Sequence, residues 1–162
     1  MFDFEAGDSI HYKGHAFSLK QIHFHEPSEH TINGIRYPIE AHFVHSNAEI
    51  NEHVVLSIFG KEGSHHTPFY FLQQYLPIEI GETKSINKPF DITKVFPNNR
   101  DEFYTYRGSL TTPPCSENVN WIIYHNPIEL SVEHVVQLKK HMPLNNFRDE
   151  QALNQRKVSK TF

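Results

Sequence analysis

One cysteine, Cys115, in 162 residues excludes an intrachain disulfide and any CxxC metal or redox motif. Long apolar runs are also missing, and nothing approaches the roughly 20 residues of a membrane-spanning helix. The opening segment MFDFEAGDSIHYKGH carries acids and no apolar h-region, so no signal peptide is read there, and by itself the chain reads as soluble and cytoplasmic. Charge of one sign is scarce as well. Lys and Arg number 15 against 19 Asp and Glu, a net charge of -4, which gives no electrostatic case for nucleic acid or an anionic membrane. Repeats, low-complexity tracts and linkers are absent too, which leaves a single domain over residues 1–162, large enough to bury a substantial core.

What the chain does have is aromatic residues, at 13%, and thirteen histidines, side chains that serve as neutral metal ligands near pH 7. Segments rich in β-branched and aromatic residues predict strands over 16–25, 39–47, 53–60, 102–110 and 119–130, separated by turn sequences such as INGI and FPNNR. Two helices are predicted. TPFYFLQQYLP has Thr67 as N-cap and Pro68 in the first helical position. SVEHVVQLKKHM has Ser131 as N-cap, Val132, Val135 and Val136 at helical spacing, and Lys139, Lys140 and His141 in its last turn. The fold class is mainly β, with helices packed outside.

The stretch QIHFHEPSEHTINGIRYPIEAHFVH, residues 21–45, concentrates five histidines and three glutamates. In a strand, alternate residues share a face and rise about 3.3 Å each. Gln21, His23 and His25 therefore share one face, and the two histidine Cα atoms stand roughly 7 Å apart, near enough to converge on one ion. In IEAHFVH, Glu40, His42 and Val44 share a face, and a neighbouring strand would bring His42 to the same point. Three neutral imidazoles without a fourth protein ligand describe a catalytic zinc site, whose open position holds water. Gln21 and Glu40 are placed to orient ligand imidazoles through hydrogen bonds. Taken alone, an HxH on a strand is also an ordinary polar face. His45, on the other face from His42, and the pair His65-His66 carry no site reading. HFHEPSE also fits the first metal motif of a cupin, but the second, late-histidine motif that a cupin needs is not found.

Three blocks settle the comparison. QIHFHEPSEHT resembles the HFH zinc motif and SEHT segment of the α-class carbonic anhydrases, IEAHFVH resembles their ExHxVH strand, and YRGSLTTPPCSENVNWII resembles their GSLTTPP loop and following Trp-bearing strand. The blocks stand in the family's order, and the resemblance covers nearly the whole chain. It implies a large, twisted, mostly antiparallel sheet with a few peripheral helices, and zinc-dependent reversible hydration of carbon dioxide to bicarbonate and a proton. It makes His23, His25 and His42 the zinc ligands, with Gln21 bonded to His23, Glu40 to His42 and the carbonyl of Asn146 to His25. Thr111 matches the threonine that orients the attacking hydroxide and donates its own proton to Glu29. Thr112 matches a bicarbonate contact, and Val44, Val55, Leu110, Val119 and Trp121 match the apolar wall beside which carbon dioxide sits.

Departures from the family carry expectations of their own. The family places several dozen residues ahead of its HFH strand, whereas twenty precede Gln21 here, so the chain reads as truncated at its N-terminal end. No position matches the family's proton-shuttle histidine, and neither His11 nor His15 is assigned that role. An uncovered sheet edge is expected to favour pairing, including a homodimer. Cys115 sits where exported bacterial members pair a cysteine with one in the missing segment, which leaves the thiol orphaned and the location of the protein open. Asp149 and Ala152 replace two expected prolines, which bears on the rigidity of Asn146. The alternative to an enzyme is a non-catalytic zinc-binding or interaction protein that keeps the metal site.

Overall fold

Three long strand-forming stretches organise this chain, one partly alternating in burial and two buried on both faces, and in the computed structural model they lie side by side in one sheet. Residues 1–4, 7–64, 67–75, 90–143 and 145–162 are described. Their elements are β1 (Phe2–Asp3), β2 (Ser9–Tyr12), β3 (His15–His25), β4 (Thr31–Ile32), β5 (Ile35–Arg36), β6 (Ile39–Asn47), β7 (Glu52–Glu62), α1 (Thr67–Gln73), a 3₁₀ turn (Ile92–Val95), β8 (Phe103–Gly108), β9 (Val119–Tyr124), β10 (Ile128–Leu130), α2 (Val132–Lys140) and β11 (Ser159–Lys160). Nine strands form one sheet in the order β1-β3-β6-β7-β9-β8-β11, with β2 also beside β3 and β10 also beside β7. Its pairings are antiparallel except β7 with β9 and β7 with β10. The mostly antiparallel sheet read from the sequence is therefore the architecture observed.

The register sets the two faces. One row runs His23, His42, Ser57 across β3, β6 and β7, and the next runs Gln21, Val44, Val55, Trp121 out to β9. The intervening row, Ile22, Phe43, Leu56, Ile122, points to the other side. There it joins Phe17, Leu19, Phe24 and Ile58 in the main core, closed by Phe69 and Leu72 of α1 and by Val135 and Leu138 of α2. A smaller cluster of Val44, Val55, Phe59, Val119, Trp121 and Ile123 lies on the histidine face. Burial of these apolar side chains, not helix propensity, holds the helices in place.

The strand predicted over 119–130 is two strands. Ile123 pairs with Ser57 and Ile128 with Gly60, so five steps of one chain span three of the other along the same edge of β7. His125, Asn126 and Pro127 loop out between them, and proline, lacking an N–H, cannot hold a central ladder position. The INGI turn forms the β4–β5 hairpin, with Asn33 and Gly34 at φ 52° and 75°, the left-handed conformations that a two-residue hairpin loop requires. Ser131 caps α2, its Oγ accepting the His134 amide hydrogen at 3.3 Å. The predicted end of the first helix beyond residue 75 and the His65-His66 pair lie outside the described residues. Among those described, no helix is long and apolar enough to cross a membrane.

Candidate metal centre

Pairing of β3 with β6 sets His23 directly opposite His42, and the strand period carries His25 to the same face as His23. The three rings converge, with centroids 5.0 Å apart for His23–His25, 5.2 Å for His23–His42 and 4.6 Å for His25–His42. One nitrogen from each lies within 4.8 Å of the others. His25 and His42 are buried, and His23 is partly so.

Hydrogen-bond chemistry fixes two of the tautomers. His25 Nδ1 lies 2.6 Å from the Asn146 carbonyl oxygen, which can only accept, so Nδ1 carries the hydrogen. Nε2 is then bare, and it is buried without a hydrogen-bond partner. His42 Nε2 lies 2.8 Å from Glu40 Oε1 and donates to it, leaving a lone pair on Nδ1. His23 is held neutral, its pKa pushed down to about 3 by burial first and by the neighbouring His42 and His25 next. Burial also lowers His25, with His42 adding to the effect. Buried lone pairs without donors are costly unless a cation takes them up. The donor set, three neutral imidazoles and no thiolate, fits a borderline divalent ion with an open coordination position.

Glu40 is the hub behind this cluster. The wholly buried carboxylate accepts five hydrogen bonds. Oε1 receives His42 Nε2, His30 Nδ1 at 2.6 Å and Ser57 Oγ at 2.5 Å, while Oε2 receives the main-chain amides of Glu29 and His30 at 2.8 and 2.9 Å. Burial alone would raise its pKa, but His30 and His42 more than offset this and hold the group well below the usual carboxylate range. His30 is the converse case: burial would lower it, and Glu40 raises it overall. The Tyr106 hydroxyl lies 2.8 Å from His30 Nε2, and burial, then Glu40, pushes its phenol above the ordinary range. His30, Ser57 and Tyr106 were not identified from the sequence.

The remaining sequence-derived residues are placed unevenly. Asn146 is fixed without the two expected prolines, because its side chain accepts from the Glu26 amide (2.8 Å) and donates to the Phe24 carbonyl (2.9 Å). Gln21 does not bond His23, whose Nδ1 has no partner. The residue follows an irregularity in the β3/β6 register and faces the cavity instead. Nor does Thr111 bond Glu29. Glu29 Oε1 accepts from the Arg148 amide at 2.8 Å, while its buried Oε2 has no hydrogen-bond partner and lies 3.9 Å from His42 Nδ1. A cavity of about 550 Å³ opens over the three histidines. Val44, Val55, Leu110 and Trp121 line it with Thr111 and Thr112, and Val119 lies wholly buried behind them. His45 is buried on the other face, against the Phe43 carbonyl. Cys115 is free.

Comparison with known proteins gives the same picture. The model of the eukaryotic-type carbonic anhydrase family matches residues 5–162. A carbonic anhydrase of Pectobacterium atrosepticum is 33% identical over 93% of this chain and 61% of its own length, and one of Neisseria gonorrhoeae is 34% identical over 95% and 60%. Among solved structures, the α-carbonic anhydrase of Thermovibrio ammonificans in complex with sulfanilamide superposes with a TM-score of 0.90 at 42% identity, over 96% of this chain and 68% of that one. The chain thus spans about 60% of the length of the curated relatives it matches. With the motif order, the sheet and the converging histidines all in agreement, this chain belongs to the eukaryotic-type carbonic anhydrase family.

Proposed function

We propose that this chain binds zinc through His23, His25 and His42 and catalyses the reversible hydration of carbon dioxide to bicarbonate and a proton. The observation that carries the reading is the convergence of three imidazoles, two of them oriented from behind by the Asn146 carbonyl and the Glu40 carboxylate. Zinc held by such a set supplies Lewis acidity and brings the ionisation of water towards neutral pH.

The chain's own residues do the rest. Val44, Val55, Leu110 and Trp121, backed by Val119, offer carbon dioxide a surface that asks for no hydrogen bonds. Thr112 faces the same cavity and is assigned to bicarbonate. Glu29 can only accept when ionised, and its unpartnered Oε2 is the acceptor we assign to the hydroxyl of Thr111, which lines the same cavity. Thr111 then has its lone pairs free to orient the attacking oxygen. The test is zinc content and stopped-flow hydration of carbon dioxide, beside a His42→Ala control. About one zinc per chain and a rate well above the control are expected. Zinc without turnover would instead support the non-catalytic alternative, and no zinc in either protein would sink both. With no assigned proton carrier, added imidazole buffer is expected to raise turnover, and a rate indifferent to buffer would count against that limit.

A further inference from the structure

Ser57 stands inside the apolar run VVLSIF of β7, wholly buried, and pairs with His42 in the β6/β7 register. A hydroxyl sealed among such neighbours is unfavourable unless it is hydrogen-bonded. Its Oγ lies 2.5 Å from Glu40 Oε1. An ionised carboxylate has no hydrogen to give, so Ser57 donates. The other donors to Glu40 come from the main chain and ring of residues 29–30 and from His42 itself, so among the described residues Ser57 is the one donor from β7.

We infer that Ser57 is a positioning residue of the metal centre: its hydroxyl, together with the His30 ring, fixes the rotation of the Glu40 carboxylate, and through it the direction of the His42 Nδ1 lone pair. The terminal torsion of a glutamate is broad and weakly held by its own sterics. Two main-chain amides hold Oε2 and by themselves would let the carboxylate swing about that oxygen, so its rotation is set by the donors to Oε1. On the far side, Oε1 receives the His30 Nδ1 hydrogen, the His42 N–H and the Ser57 O–H together. Moving Oε1 moves the hydrogen-bond partner of the His42 ring, and hence the aim of its other nitrogen. Ser57 is tied to the strand beside His42 and opposes that motion from β7, while the His30 ring, itself met by the Tyr106 hydroxyl, opposes it from the segment ahead of β4.

The inference rests on the metal reading above, and its test separates the two. The full chain is loaded with zinc, and release is followed on mixing with excess chelator at neutral pH for wild type, Ser57→Ala and Ser57→Thr. Thermal midpoints of the metal-free proteins and the visible spectra of the cobalt-loaded ones are recorded alongside. Ser57→Ala is expected to release zinc about tenfold faster and to alter the cobalt spectrum, while Ser57→Thr, which keeps the hydroxyl, releases close to the wild-type rate. A Ser57→Ala protein that releases zinc at the wild-type rate overturns the inference while leaving the metal reading intact. So does a Ser57→Thr protein as fast as Ser57→Ala with an unchanged metal-free midpoint. A wild-type chain that takes up no zinc overturns the metal reading and this inference with it.

Discussion

Replacing Glu40 by glutamine tests whether the buried carboxylate, as opposed to its shape, holds the centre together. Gln is nearly isosteric but carries an NH₂ where one acceptor stood. If the amide nitrogen takes the place of Oε1, it faces the donors of His30, His42 and Ser57, and if it takes the place of Oε2, it faces the amides of Glu29 and His30. The milder choice leaves two buried amides unbonded, at about 1–3 kcal/mol each. Removing one member of a buried ion pair costs about 3–5 kcal/mol by a separate route. The first route gives about 2–6 kcal/mol and the second about 3–5, so the loss is placed where they overlap, at roughly 3–5 kcal/mol, a large part of a typical domain's stability. With a urea slope of about 2 kcal/mol per molar, the unfolding midpoint of the metal-free protein should fall by roughly 2 M.

The pH dependence sharpens this prediction. The folded-state pKa of Glu40 is depressed below its ordinary 4.5, so its contribution is complete above 4.5 and is lost as the pH falls through the lowered value. The folded-state pKa of His30 is raised above its ordinary 6.5, so its contribution is complete below 6.5 and is lost as the pH rises through the raised value. The gap between wild type and Glu40→Gln should therefore be widest between 4.5 and 6.5 and narrow on either side. A gap under about 1 kcal/mol, or one that stays flat with pH, would refute the reasoning, since a charged hub cannot be so cheaply replaced.

Other perturbations separate the parts of the molecule. Tyr106→Phe removes the hydroxyl that meets His30 Nε2 and should cost about 1–2 kcal/mol, a fall of roughly 2–8 °C in the thermal midpoint; an unchanged midpoint would mean that the Tyr106 bond contributes nothing. Phe43→Ala empties the main core on the face away from the histidines and should cost about 3–5 kcal/mol with zinc stoichiometry retained, so loss of zinc in a still-folded variant would show that the two faces are coupled. The sheet ends in short outer strands, β1 and β2 beside β3 at one edge and β11 beside β8 at the other. If those edges pair between copies, sedimentation should show a concentration-dependent dimer, and a monomer at every concentration would dismiss it.

How much of this centre was legible depends on which residues are neighbours along the chain. Strand alternation puts His23 and His25 on one face, and it puts His42 on the same face as Glu40, so two halves of the site can be read locally. That the halves meet is a matter of register between β3 and β6, which no local pattern states; the family motifs supplied it. The third support comes from Asn146, separated by 121 residues from the ring it holds. His30 escapes periodicity because it lies in the segment between Pro27 and β4, where alternation has no meaning. Ser57, in contrast, left a signal. Within VVLSIF it alternates with Val55 and Phe59, so a small polar residue sits on the face of a strand otherwise buried on both sides, a place where a hydroxyl survives only with a partner to receive its hydrogen. The split of 119–130 was likewise written in Pro127, which cannot donate to a ladder, but the apolar residues on both sides of it read as one strand. In each case the local pattern shows which face a side chain takes, and its partner across the fold decides what it does there.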